Sequence, residues 1–339
     1  MDYTELDVDG YERVLVATDG DFRAIVAIHS NALGIALGGC RALSYDSLSS
    51  QLTDTLSLAK GMTYKNALAG LGLGGGKATI NTDKPDQLTM AKFSIVMDYI
   101  NKDGTQYITA GDMNTGPKEI ATLSSMTPYV NGGHLGEDSG YATAYGVYMA
   151  MLGAMKFRHR DIRQQRVGIQ GLGKVGMRLA KFLHREAKGL YSLDVDGDMS
   201  NKAFNDYGAT PVHNVHELIR HTQIYSPCAR GGILNSELLL SLSPGDVVCG
   251  GANNIFTSED MEVEYAGRGI IVVPDFLANA GGVIIVQEGM KDGSYKDPDV
   301  MEKLKGIMHT TYEVLLRAED ESRTPTFIAN RMAEEIFLG

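Results

Sequence analysis

In MTYKNALAGLGLGGGKATI, residues 62–80, Lys65 and Lys77 stand twelve positions apart among small and apolar neighbours, and Lys77 closes a run of three glycines, Gly74 to Gly76. A lysine ordinarily keeps its ammonium in water. Two of them in such surroundings point to charges that are put to use. A fixed ammonium can hold a carboxylate. A second one, crowded by glycine backbone and close to another cation, is expected to have a lowered pKa and to act as a general base.

A second constellation lies further along. GLGKVG supplies Gly171, Gly173 and Gly176 in G-x-G-x-x-G spacing, between an apolar strand, RVGIQ, and an amphipathic helix, KVGMRLAKFLH. That context is the one a dinucleotide site needs. The first glycine makes the turn, the second lets backbone approach a pyrophosphate, and the third lets the helix pack close to the strand. The helix N-terminus then faces the phosphates. Asp194 ends the next strand, 23 residues after Gly171. A carboxylate there accepts hydrogen bonds from the adenosine ribose and repels a 2′-phosphate, and Asp196 and Asp198 add to the repulsion. NAD is therefore expected over NADP.

These groups must be held by elements that the pattern makes visible. ERVLVAT and FRAIVAIHS read as strands joined by a hairpin turn in TDGD. LGIALGGCRALSY is punctuated by glycine. From about Ser49 to Leu68 the pattern is helical: Leu52, Leu56, Ala59 and Met62 recur at three- and four-residue intervals, and Lys65 shares a face with Leu58. LGLGGGKATI reads as a turn into a short strand. A helix around 87–101 leads to a strand from Tyr107 to Ala110 that ends at Gly111-Asp112, and 117–126 is helical again. The polar, glycine-rich stretch 131–143 reads as a domain boundary, followed by a helix over 143–157 and then by alternating strands and helices. The tail from about Lys303 to Phe337 is helical and amphipathic.

The fold class expected is α/β with two domains. One is an N-terminal α/β substrate and assembly domain, residues 1–135 plus about 312–339. The other, 136–311, is a doubly wound Rossmann domain that binds the dinucleotide.

A net charge of −11 argues against nucleic acid or an anionic membrane as partner, since both want a basic face. Cys40, Cys228 and Cys249 have no CxxC spacing and are odd in number, as expected of buried thiols in a reducing compartment. The acidic N-terminus lacks the segments of a signal peptide, and no apolar run approaches the ~20 residues of a membrane helix. A soluble, cytoplasmic protein is expected. His134 and His159 lack metal-ligand spacing, so no metal is expected.

The motifs taken in order resemble the glutamate/leucine/phenylalanine/valine dehydrogenases over nearly the whole chain. They are LGGCR (37–41), KGMTYKNA (60–67), GGGK (74–77), TAGDMNT (109–115), TAYGV (143–147), GLGKVG (171–176), SPCARGG (226–232), GGANN (250–254) and PDFLANAGGVI (274–284). The likeness is greatest to the short leucine-type members. It implies NAD-dependent, reversible oxidative deamination of an L-amino acid in a homo-oligomer, dimer or octamer. It assigns the substrate carboxylate to Lys65, the general base to Lys77 and proton transfer to Asp112. Substrate contacts fall by analogy at Gly38, Gly39, Leu37, Ala110, Val283, Val286 and Asn254. Cofactor contacts fall at Gly171, Gly173, Lys174, Val175, Gly176, Asp194, Cys228, Ala229, Asn253, Asn254 and Asn279. The two domains are expected to close and exclude water from the hydride step.

Glutamate-specific relatives carry a lysine where this chain has Leu37, and the other pocket positions are uncharged, so leucine, valine and isoleucine are the expected substrates. Two departures favour the alternative of an aromatic substrate. The chain reads DMNT where leucine-type members read DVGT, which gives Asn114 in common with the phenylalanine and tryptophan enzymes, and Arg230 replaces an apolar residue. A catalytically silent NAD-binding regulator is a further alternative, opposed by the intact Lys65, Lys77 and Asp112. A hydroxy-acid dehydrogenase would want a histidine paired with Asp or Arg, and no histidine is placed for that.

Overall fold

The computed structural model describes residues 1–104, 106–131, 139–289 and 298–339. His134 and most of the 131–143 segment lie outside the described residues. The chain divides into two units: Met1–Gly136 with Val286–Ser294 and Ala333–Gly339, and Glu137–Ile285 with Tyr295–Met332. The C-terminal segment thus joins the first unit only from Ala333, later than the residue 312 expected from sequence.

The first unit holds β1 (Asp2–Leu6), β2 (Arg13–Asp19), β3 (Phe22–Ser30), β4 (Ala36–Leu43), α1 (Leu48–Leu68), β5 (Gly74–Asn81), α2 (Gln87–Ile100), β6 (Tyr107–Gly111) and α3 (Pro117–Ser124). Its sheet runs β1-β2-β3-β5-β4-β6. β2 and β3 form the expected hairpin, with Gly20 at a φ of 60° in the turn. β4 is parallel to both β5 and β6, while β3 is antiparallel to β5. α1 starts on a capping box in which Ser47 and Ser50 satisfy each other's backbone N–H groups.

Alternation along the strands sorts the sheet into two faces. Cys40, Ala42, Ala78, Ile80 and Tyr107 form one core with Met90, Phe93, Val96 and Met97 of α2 and Leu123 of α3. Val14, Val16, Ile25 and Ala27 form a second core, on the opposite face, with Ala59, Leu52 and Leu56 of α1. Lys77 pairs with Ala27 and belongs to this second face.

The second unit holds α4 (Ser139–Phe157), β7 (Arg166–Gln170), α5 (Gly176–Leu183), β8 (Gly189–Leu193), α6 (Gly197–Tyr207), β9 (Ala209–Pro211), α7 (Val215–Arg220), β10 (Ile224–Pro227), α8 (Ser236–Leu239), β11 (Val247–Val248), α9 (Glu259–Gly267), β12 (Ile271–Val272) and α10 (Asp275–Ala278). α11 (Gly281–Gly289) contributes residues to both units, α12 (Pro298–Asp320) packs along α4, and α13 (Pro325–Leu338) ends the chain. The sheet order is β12-β11-β10-β7-β8-β9, all parallel. The winding reverses between β7 and β10, and that reversal makes a crevice at the carboxyl ends of these two strands. The tail is two helices, because Pro325 cannot continue α12 and Ser322 takes a φ of 52° ahead of it. Among the described residues no helix is long and apolar enough to cross a membrane.

Candidate active site

The three glycines before Lys77 are a strand, not a turn: β5 begins at Gly74. A side chain on any of them would strike its neighbour. A Cβ on Gly75 would lie 2.1 Å from the Thr63 nitrogen of α1, and one on Gly76 2.8 Å from the Tyr107 ring. The bare strand lets α1 settle onto the sheet. Asn66 fastens its last turn by donating from Nδ2 to the carbonyls of Leu37 (3.3 Å) and Gly74 (2.6 Å). Lys65 sits half-buried in that same turn, three residues after Met62, whose Cγ lies 3.4 Å from where a Gly38 Cβ would be.

Lys77 is 6% exposed. An ammonium buried this far requires a counter-charge, and Asp112 supplies one: Nζ stands 2.7 Å from Oδ2. Alternation and register bring the rest together. Gly39 pairs with Ala110, two residues before Asp112, and Leu37 pairs with both Ile108 and Gly75. Leu37, Gly39, Arg41, Lys77, Ala110 and Asp112 therefore share the α1 face. A Cβ on Gly39 would stand 2.8 Å from the Asp112 Cβ and 3.0 Å from the Lys77 Nζ, so glycine here leaves room at the ion pair. Leu37 and Ala110 are buried and apolar.

Asp112 lies just past β6, in a turn closed by Thr115. Its N–H donates to Thr115 Oγ1 at 3.0 Å, and the Thr115 hydroxyl donates to the Cys40 carbonyl. Asn114 has a φ of 58° and donates from Nδ2 to the Ala42 carbonyl at 3.0 Å. Asparagine is the side chain that best tolerates this left-handed conformation after glycine. The turn thus gives Asn114 a structural role of its own.

Burial alone would raise the Asp112 pKa, but the Lys77 and Arg41 charges outweigh it and hold the carboxyl down at about 2. Arg41 went unassigned in the sequence. It donates from Nε to Asp112 Oδ2 at 3.3 Å and from Nη1 to Asp54 of α1 at 3.2 Å, and Tyr45 donates its hydroxyl to Asp54 at 2.7 Å. The signal was its place two residues after Gly39 in a strand, on the same face.

In the second unit the glycine turn has the shape a pyrophosphate needs. Gly171 has a φ of 92°, and its missing Cβ would meet Ala229 at 2.7 Å. A Cβ on Gly176 would lie 1.8 Å from the Gly171 carbonyl oxygen, whereas nothing stands within 4 Å of one on Gly173, so that backbone is open to a ligand. Asp194 accepts the Leu172 N–H at 2.5 Å and the Asp196 N–H at 2.9 Å, which ties the acidic end of β8 to the turn after β7. Lys174 is exposed, and Val175 lies where a Cβ on Gly251 would meet it at 2.8 Å.

The Cys228 N–H donates to the Gln170 carbonyl at 2.7 Å, and burial raises its thiol pKa. All three cysteines are free. Asn279 is 6% exposed and donates from Nδ2 to Asn253 Oδ1 at 2.6 Å, while its own Oδ1 is buried without a partner. An orphaned carbonyl oxygen suits an amide donor, and the nicotinamide carboxamide is one. Asn254 takes a φ of 50° and its carbonyl accepts the Gly232 N–H at 2.8 Å, which makes it a turn residue. Gly281 serves packing as well, since its Cβ would lie 1.9 Å from the Ala142 carbonyl oxygen of α4. Val283 lies in the second unit and is buried; Val286, one turn on, lies in the first and accepts the Asn131 amide at 2.6 Å. His159 is exposed and Arg230 is exposed.

Residues 13–129 match the Glu/Leu/Phe/Val dehydrogenase dimerisation domain, and residues 132–204 and 198–336 match the glutamate/leucine/phenylalanine/valine dehydrogenase domain. The chain is 36% identical to the leucine dehydrogenase of Thermoactinomyces intermedius, over 96% of this chain and 90% of the relative. It is 35% identical to the valine dehydrogenase of Streptomyces albus, over 97% and 93%. The L-tryptophan dehydrogenase of Nostoc punctiforme superposes with a TM-score of 0.85 at 31% identity, over 97% of this chain and 96% of that one. With family matches along both units and relatives of this identity over nearly its full length, the chain belongs to the glutamate/leucine/phenylalanine/valine dehydrogenase family of NAD(P)-dependent amino acid dehydrogenases.

Proposed function

We propose that this enzyme oxidatively deaminates a branched-chain aliphatic L-amino acid, with NAD as hydride acceptor, and that the reaction is reversible. The observation that carries the proposal is the buried Lys77–Asp112 pair at 2.7 Å beside the bare Gly39, on a sheet face that also carries the apolar Leu37 and Ala110. Bound NAD supplies the acceptor for the hydride that leaves the substrate α-carbon. Lys65 holds the substrate carboxylate. Lys77, as the free amine, takes a proton from the water that adds to the substrate iminium. Asp112, ionised at rest, takes a proton from the substrate α-ammonium before the hydride leaves and returns it to the carbinolamine nitrogen, and ammonium departs with the hydroxyl proton as the carbonyl forms. Asn279 orients the carboxamide of the nicotinamide, and the Gly171–Gly176 turn takes the pyrophosphate. Asp194, Asp196 and Asp198 disfavour a 2′-phosphate, which supports NAD over NADP.

Leu37 and Ala110 offer no partner to a charged side chain, whose burial would cost several kcal/mol. Relatives named leucine and valine dehydrogenase support the aliphatic choice. The likeness to a tryptophan dehydrogenase keeps an aromatic substrate as the second reading. The first unit, matched by a dimerisation domain, is proposed as the assembly surface of a homo-oligomer.

The test is NADH formation followed at saturating NAD with leucine, valine, isoleucine, phenylalanine, tryptophan and glutamate, for wild type and for Lys77→Ala. Turnover of the aliphatic three, lost in the variant, is the expected outcome. Faster turnover of the aromatic pair overturns the substrate choice. Normal turnover by Lys77→Ala overturns the mechanism.

A further inference from the structure

The Lys77–Asp112 pair presents a difficulty for the mechanism. Lys77 must be neutral when it receives the water proton, yet its ammonium is the nearest counter-charge of a carboxylate that must be ionised when the substrate arrives. With no other cation beside it, the carboxylate would hold the ammonium proton in place. A cation that cannot titrate would break the couple, and a guanidinium is such a cation. Arg41 places one on the same oxygen: Nε stands 3.3 Å from Asp112 Oδ2, the atom that Lys77 meets at 2.7 Å.

We propose that Arg41 is a positioning residue that lends Asp112 a permanent counter-charge, so that Lys77 gives up its proton while Asp112 remains a carboxylate. The inference rests on the assignment of Lys77 as general base. Arg41 is itself held from the far side. Its Nη1 reaches both oxygens of Asp54, at 3.3 and 3.2 Å, and Asp54 is fixed by the Tyr45 hydroxyl at 2.7 Å. The Tyr45 N–H in turn donates to Asn81 at the end of β5, at 2.8 Å. The guanidinium thus bridges α1 to the end of β6.

The charged and titratable groups around Asp112 on the elements packed there are few. β5 contributes Lys77, β4 contributes Arg41 and, on its other face, the buried Cys40. β6 contributes Tyr107, also on the other face. α1 contributes Asp54 and Lys65, the segment after β4 contributes Tyr45, and α3 opens with Lys118 and Glu119. Among these only Lys77 and Arg41 form ion pairs with Asp112 within the described residues.

Arg41→Met and Asp54→Asn both delete the ion pair between Arg41 and α1, but with opposite electrostatic consequences at Asp112. Arg41→Met removes the fixed cation, whereas Asp54→Asn removes the anion that partly neutralises it. The pH profile of kcat/KM for amino-acid oxidation is measured for wild type and both variants, with KM followed separately. For Arg41→Met the acid limb is expected to move up by about one pH unit, a tenfold loss on that limb, with KM within about threefold of wild type. For Asp54→Asn the limb is expected to stay or move down. Should Arg41→Met not fold, Arg41→Lys replaces it: its shorter, single-headed cation cannot reach both carboxylates, and an upward shift of about half a unit is expected.

Limbs that move alike in both variants, or that do not move in either, overturn the role of Arg41 and reduce it to a brace. Retained turnover by Lys77→Ala is the separate result that overturns the base assignment beneath it.

Discussion

Gly39→Ala tests the site by adding one methyl group. The new Cβ would stand 2.8 Å from the Asp112 Cβ, 3.0 Å from the Lys77 Nζ and 3.2 Å from the Gly111 carbonyl oxygen. Carbon atoms settle at about 3.5–4.0 Å, so Asp112 has to retreat by roughly 0.7 Å or more. Asp112 is tethered through its own N–H and through Thr115, and Lys77 through its strand, so the retreat opens the 2.7 Å contact between them. Misplacement on the order of 1 Å at a reacting group costs about a hundredfold in rate. Overpacking costs about 1–3 kcal/mol of stability, a few degrees in melting temperature. The assay is kcat from NADH absorbance together with calorimetry of the same preparation. NADH titrated by fluorescence serves as the control, because the glycine turn lies in the other unit and is expected to bind as in wild type. Gly38→Ala supplies the contrast: its Cβ would fall 1.7 Å from the Gly76 carbonyl oxygen, backbone that no rotamer can relieve, and it is expected not to fold. A Gly39→Ala enzyme that keeps kcat within about threefold of wild type, a barrier change under 1 kcal/mol, refutes the placement of the reaction beside Gly39.

Three further outcomes follow from the same geometry. Asn114→Gly is expected to be stable and active, whereas Asn114→Val, forced to a φ of 58°, is expected to lose about 1–3 kcal/mol in denaturant unfolding. Asp112 has a folded pKa of about 2 against 3.8 unfolded, so its contribution is complete above about pH 4 and is lost as pH falls through 2. Wild type should therefore exceed Asp112→Asn in stability at pH 6, with the gap closing in acid titrations toward pH 2. Gly176→Ala sets a Cβ 1.8 Å from the Gly171 carbonyl oxygen, and calorimetric titration should show NAD binding abolished while the first unit still melts as in wild type.

Where a feature depends on neighbours in sequence, it was legible. The β2–β3 hairpin, α1 and the Gly171–Gly176 turn each follow from local pattern. The role of the Gly74–Gly76 run was not, because it depends on what lies opposite: Thr63 at 2.1 Å and Tyr107 at 2.8 Å are contacts between segments separated along the chain. Glycine signalled close approach, and a turn was the local way to satisfy it; a strand beneath a helix was the tertiary way. Asn114 was legible only in part for a related reason. It was read as a difference from leucine-type members that bears on the substrate, whereas its left-handed backbone and its bond to the Ala42 carbonyl also hold the turn at Asp112. Arg41 was hidden because arginine on a strand usually faces water, and only the register of β4 with β5 and β6 turns it toward Asp112.

The charges around the site also bear on which amino acid is accepted. Lys77 and Arg41 are balanced by Asp112 and Asp54, so these four groups close to neutrality before any substrate arrives. An amino acid enters as a zwitterion and leaves that balance intact. With Lys65 assigned to the α-carboxylate and Lys77 and Arg41 engaged by Asp112 and Asp54, a second carboxylate beside Leu37 and Ala110, buried and without a donor, would have no counter-charge of its own. Asp112 could answer only by holding a proton before the reaction begins, which would leave no acceptor for the α-ammonium proton. Rejection of glutamate is thus expected to appear in kcat as well as in KM, and Leu37→Lys, by restoring a counter-charge on that face, is the single change expected to relieve both.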